Sequence, residues 1–201
     1  MKQGVADPAR LATPIAIGLG LVALAARVPS TWAILVTAGV GLLGLIAPLP
    51  RAARTASAPR TAPASRQTTV LTWLGAVALG VGALLIAGRL PSLLGIGLRG
   101  VVVRRAGAWA VTASALAAVA EELFFRRLVY GWLARWGSAV AIGGSALLFA
   151  AVHVPVYGFA VIPIDVAAGL LLGWQRWMTA GWTASGVTHV VANLIAEGVM
   201  A

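Results

Sequence analysis

Residues 70–88, VLTWLGAVALGVGALLIAG, hold no charged side chain. In lipid no water is at hand to bond a free N–H or C=O, so such a run must satisfy its own backbone. At about 18 apolar residues or more, a membrane-spanning helix is the expected outcome. The run is not isolated. Leu11 to Ala26, Trp32 to Leu49, residues 137–154, Tyr157 to Trp174 and Gly181 to Met200 read the same way. The 201-residue chain is 60% hydrophobic and only 10% charged, whereas a soluble domain is about half apolar and a quarter charged. The expected fold is therefore all-α: a polytopic transmembrane helical bundle of about six or seven spans, at ~20 residues each. The protein is expected to be integral and multi-pass, with the lipid bilayer as its first partner.

Charge and cysteine content narrow the function classes. The net charge is +10 and there is no cysteine. Disulfides, thiolate metal sites and thiol nucleophiles are excluded. In a membrane protein, arginine-rich connections serve topology and anionic lipid, so no nucleic-acid partner is expected. Residues 50–69, PRAARTASAPRTAPASRQTT, carry four arginines and no acid. They read as a solvated basic loop, cytoplasmic by the positive-inside rule, with the N-terminus on the same side. The opening MKQGVADPAR and the apolar run after it show no convincing small-x-small cleavage site before the next span begins, and they read as a retained first helix. Arg89, Arg99, Arg104 and Arg105 make residues 89–105 an interfacial segment rather than a span. The chain divides into residues 1–105, N-terminal helices with the basic loop, and residues 106–201, the core expected to hold the site. Heavy use of Ala, Gly, Arg and Pro fits a GC-rich bacterial genome, and so a bacterial plasma membrane.

Ala106 to Arg135 is one helix-permissive run, and it contains VAEELFFRRLVY at 119–130. Two of the five acidic residues of the chain stand there. An ionised side chain at a helix centre costs about 2.5–3.5 kcal/mol on insertion scales, so such a cluster needs a reason. Glu122 and Arg126 are four apart and share a face. Glu121 points about 100° away from Glu122, free to face elsewhere. Phe149 and His153 are one turn apart, as are His189 and Asn193. These are the only two histidines.

Depth tests whether the groups can meet. With a turn near Gly137, Glu121 lies ~21 Å before it and His153 ~24 Å after it, at 1.5 Å per residue. An antiparallel hairpin then brings both to one depth, which the middle of the last span also reaches. Pro155 is expected to stop or kink the 137–154 helix. Asp165 is read as structural, satisfying backbone freed by Pro163 or pairing with an arginine. Glu197 is read as an extension of the Asn193 face or an interfacial residue.

The motifs EELFFR, FAAVH and HVVAN fit E-E-x-x-x-R, F-x-x-x-H and H-x-x-x-N, in that order on successive helices. Over about residues 106–200 the chain resembles the CAAX protease and bacteriocin-processing family of intramembrane endopeptidases, which includes the type II CAAX prenyl endopeptidases. The resemblance implies that Glu121 activates a water with help from His153. It implies that His189 and Asn193 form an oxyanion hole, with Glu122, Arg126 and Phe149 supporting them. The substrate would be a peptide or membrane-associated protein, including prenylated CAAX-type tails. The family often has a small residue after the motif arginine, where this chain has Arg127.

A glutamate-type mechanism without a cofactor is favoured. The alternative is a metallopeptidase with zinc on Glu121, His153 and His189, although the H-E-x-x-H motif of zinc proteases is absent. TASG lacks the first glycine of a rhomboid-like motif, and Asp165 has no partner aspartate for a presenilin-like dyad. Two other classes stay open. One is an ion- or proton-coupled transporter, which calls for a polar path and repeat symmetry. The other is a non-catalytic immunity or scaffold protein that keeps the fold.

Overall fold

The computed structural model describes residues 8–25, 30–49, 66–93, 95 and 108–199. Within them the chain is a helical membrane bundle with no strand. Helices α1 (Pro8–Ala25) and α2 (Ser30–Ile46) form a hairpin, followed by the long α3 (Arg66–Leu93). α4 (Ala108–Glu121) runs without a break into a π-helical stretch, Glu122–Val129. A single α turn, Tyr130–Leu133, and a 3-10 turn, Ala134–Trp136, complete that rod. α5 (Ser138–Tyr157) returns antiparallel. A 3-10 turn at Phe159–Val161 then leads into α6 (Ile162–Met178), and α7 (Thr183–Val199) closes the bundle.

Four rods are long and apolar enough to cross a bilayer: Thr69–Leu93, Ala108–Trp136, Ser138–Tyr157 and Phe159–Met178. α1 and α2 offer shorter apolar stretches, Ala12–Val22 and Trp32–Ile46, and α7 has 17 residues. The six or seven spans expected from sequence thus include only four of full crossing length. Leu71, Leu79, Ile86 and Leu147 point outward. That arrangement is unfavourable in water and natural in lipid.

Several boundaries differ from the sequence reading, each for a local reason. α3 absorbs residues 66–69 and 89–93, because one arginine near each end of a helix can reach the interface. The rest of the basic loop, 50–65, and residues 94 and 96–105 lie outside the described residues. Pro155 does not end α5. It sits in the last turn, where it gives up one N–H bond to the carbonyl four residues back, and the helix still continues to Tyr157. Gly158 is the stop: its φ is +82°, and its N–H bonds the Val154 carbonyl at 2.8 Å. The expected turn at Gly137 is present, with φ +105°.

α5 packs most extensively on α6 and α3 on α7, while α2 packs on α1, α4 and the π-helical stretch. The contacts use small residues, as close approach in lipid requires. A Cβ on Gly41 would lie 2.8 Å from the Ala120 Cα, and one on Gly44 would lie 2.6 Å from the Leu123 carbonyl carbon. α2 therefore lies backbone to backbone beside the two glutamates. Arg127 tightens this junction by donating to the Gly44 carbonyl and, at 3.2 Å, to the Ala47 carbonyl. It caps the open C-terminal carbonyls of α2.

Overpacking at a filled contact costs about 1–3 kcal/mol. Gly44→Ala is expected to lower the melting temperature of the detergent-purified protein. Gly39→Ala, on the same helix with nothing within 4 Å of its added methyl, is expected to leave it unchanged.

Candidate active site

The π-helical stretch sets the position of the first motif. Tyr130 N–H bonds the Phe125 carbonyl, five residues back, rather than that of Arg126. The Arg126 carbonyl instead accepts from Arg176 Nε at 3.3 Å. Such wide turns are uncommon and concentrate at functional sites. The sequence reading assumed a regular helix here. Nearly every side chain of ELFFRRLV is buried, so the stretch is held from all sides by α2, α5, α6 and α7.

Glu122 and Arg126 pair at 3.3 Å, with both side chains 0% exposed. The Arg126 guanidinium lies 4.5 Å over the Phe149 ring. Phe149 is in turn 4.6 Å from the His153 ring and 6.1 Å from the His189 ring. The phenylalanine of the second motif is thus a wedge between the arginine of the first and both histidines.

The histidines meet Glu121 from two sides. His153 Nε2 is 3.9 Å from Glu121 Oε1, and His189 Nε2 is 3.8 Å from Glu121 Oε2. Each Nδ1 faces an acceptor on its other side. His189 Nδ1 lies 3.2 Å from Glu122 Oε1. His153 Nδ1 lies 2.8 Å from the Phe149 carbonyl and 3.6 Å from Asp165 Oδ2. A carbonyl or carboxylate oxygen can only accept, so each Nδ1 carries the proton and donates it. Each ring then turns its Nε2 toward Glu121. Glu121 itself is 23% exposed, in contrast to the fully enclosed Glu122.

These groups open onto a cavity of about 1060 Å³. Glu121, Phe149, His153, Asp165, His189 and Asn193 line its polar end. Ile34, Leu84, Leu85, Leu116 and Ile195 furnish apolar wall, and Arg89 lies at its rim. The cavity extends along the first half of α2 and the last turns of α3. It therefore sits at the end of the bundle away from where α2 leads out and α3 begins. All seven site residues expected from sequence come together here. Glu121, Phe149, His153, His189 and Asn193 line the cavity, and Glu122 and Arg126 lie behind it.

Sequence reasoning missed Asp165, which faces His153 rather than an arginine. The available signal was a carboxylate inside an apolar run. It also missed Gln175, whose amide donates to the Ala76 carbonyl at 2.6 Å and to Thr188 Oγ1 at 3.0 Å. That bond set pins α3, α6 and α7 together below His189. The side chain of Glu197 lies outside the described residues. Among the described residues, no group of three His, Asp or Glu side chains is arranged to hold a metal ion.

Residues 103–195, just under half of the chain, match the family described as type II CAAX prenyl endopeptidase Rce1-like. This part of the chain is Rce1-like. The matched segment contains all three motifs, from Glu121 to Asn193. No curated protein and no solved structure matches. The Rce1-like match sets the chain among proteases, hydrolases acting on protein or peptide substrates at the membrane, and the apolar helices make it an integral membrane protein.

The two glutamates of the Rce1-like motif are expected to respond differently to truncation. Glu122→Ala leaves Arg126 buried without its anion, a change that costs about 3–5 kcal/mol. It should lower the melting temperature sharply or abolish folded yield. Glu121→Ala removes a partly exposed group at a cavity wall and should melt close to the wild type.

Proposed function

We propose that the protein is an intramembrane endopeptidase of glutamate type that hydrolyses a peptide bond of a membrane-associated or prenylated, CAAX-type substrate. The observation that carries this reading is the convergence of both histidine Nε2 atoms on the two oxygens of Glu121. It occurs at the polar end of a largely apolar cavity.

In the proposed reaction a water beside Glu121 attacks the scissile carbonyl carbon, and Glu121 takes the water proton as general base. The C–O bond forms, the carbonyl π pair moves to oxygen, and a tetrahedral oxyanion results. His189 and Asn193, one turn apart on α7, supply the donors for that oxyanion. His189 does so as its imidazolium, or through a proton shared with Glu121. The proton held by Glu121 passes to the amide nitrogen, directly or by way of His153 Nε2. The C–N bond then breaks to release an amine and a carboxylic acid. No side-chain nucleophile is consumed, in keeping with a chain that has no cysteine.

Burial of Glu122 with Arg126 gives the site a fixed floor, and Phe149 keeps the two rings apart. The cavity volume of about 1060 Å³ lies at the upper end of ordinary small-ligand pockets, about 300–1,000 Å³. Its leucine- and isoleucine-rich wall suits an extended apolar peptide or a lipidated tail. The composition suits a bacterial plasma membrane.

The test uses the full chain in detergent with fluorogenic farnesylated CAAX peptides and their unprenylated counterparts. Glu121→Gln should reduce kcat at least about 10²-fold, the lower range for loss of a general base. Asn193→Ala should cost about 10²–10³-fold, as for an oxyanion donor. Both should melt like the wild type, and cleavage should persist under a strong chelator. Wild-type turnover of no peptide in either set, or full activity in Glu121→Gln, sinks the proposal.

A further inference from the structure

Asp165 is a carboxylate that the three motifs leave unused. It sits in the first turn of α6. The positive-φ Gly158 and the 3-10 turn Phe159–Val161 fold the chain back so that this turn lies against the end of α5. Its Oδ2 stands 3.6 Å from His153 Nδ1, is buried, and has no hydrogen-bond partner among the described residues. An aspartate in a first turn can simply favour the helix dipole. That role would be served by a carboxylate turned to any side, whereas this one faces the cavity and a histidine.

We infer that Asp165 is a positioning residue that, with the Phe149 carbonyl, holds His153 with Nε2 toward Glu121. The inference rests on the peptidase reading above and deepens it. The two imidazoles then have matching supports. Glu122 Oε1 takes His189 Nδ1–H at 3.2 Å, and Asp165 Oδ2 backs His153 Nδ1–H at 3.6 Å. A ring held at Nδ1 keeps one tautomer and one orientation, which is what a third group does for a catalytic base. Asp165 also sets a negative charge behind His153, so positive charge that reaches the ring from Glu121 during proton transfer is met at its far side. Arg126, Glu121, His189 and Tyr157 are the other charged or titratable groups around this ring, on the π-helical stretch, α4, α7 and α5. Glu121 faces its Nε2 at 3.9 Å, and the Tyr157 ring stacks on it at 5.9 Å.

Two measurements on the full chain in detergent test this. The first is a double-mutant cycle on peptide cleavage with Asp165→Ala and His153→Ala. Asp165→Ala should lower kcat about 10–100-fold, the usual loss on removing an outer partner of a functional imidazole, with little change in KM. In the His153→Ala background it should lower kcat no further. Equal losses in both backgrounds overturn the inference.

The second is the imidazole ¹⁵N spectrum of the two histidines. Asp165→Ala should move the His153 Nδ1 resonance and leave that of His189 in place. An unmoved His153 signal overturns the inference even if activity falls. If the wild type cleaves no peptide, the peptidase reading fails while the spectra still decide whether Asp165 holds His153. Asp165→Asn, which keeps the side-chain shape, carries the same comparison if the alanine variant does not fold.

Discussion

The buried pair of Glu122 and Arg126 is the interaction on which the rest of the site depends. Two full charges enclosed among apolar helices are costly, and each is tolerable only with the other beside it. The pair is not isolated. Arg126 stacks over Phe149, and Glu122 accepts from His189. One ion pair therefore connects the π-helical stretch to α5 and to α7, the two helices that bear the histidines. Positioning the two histidines from such a pre-paired centre avoids leaving a lone charge in the membrane interior. It also frees Glu121, the neighbouring residue, to face the cavity.

The wide helical turn at Glu122–Val129 is the backbone counterpart of that pair. It redirects hydrogen bonds, and Arg176 takes up the carbonyl of Arg126. It also lets adjacent glutamates reach the same imidazole ring, with His189 Nδ1 toward Glu122 and Nε2 toward Glu121. α2 braces this turn from outside the matched family segment. Its Gly41 admits the backbone of α4 and its Gly44 that of the π-helical stretch, and Arg127 holds the carbonyls of Gly44 and Ala47. The arginine that departs from the usual family pattern thus has a structural task at the junction between α2 and the rod that follows. α2 and α3 also contribute walls to the cavity, so the half of the chain without motifs shapes what the site can admit.

Much of the fold was legible because bilayer constraints act on local sequence. Runs such as 70–88 have one viable backbone solution, and Gly137 marks a turn that only glycine adopts easily. Pro155 misled because a proline is weighed by where it falls in a helix, and the true stop was Gly158 three residues on. The spans near α3 misled because arginine side chains are long enough for a helix to carry them past the hydrocarbon edge.

The sequence by itself determined the membrane class, the helical architecture and the spacing of Glu121, His153, His189 and Asn193. Each follows from local periodicity or from the limits that lipid imposes on a backbone. Only the tertiary structure decided that the two Nε2 atoms address separate oxygens of Glu121, that Asp165 stands behind His153, and that Gln175 and Arg176 tie the helices around them. Those relations depend on crossing angles, a π-helical turn and the fold-back at Gly158. All three arise from packing between helices distant in the chain, and no periodicity along one helix encodes them.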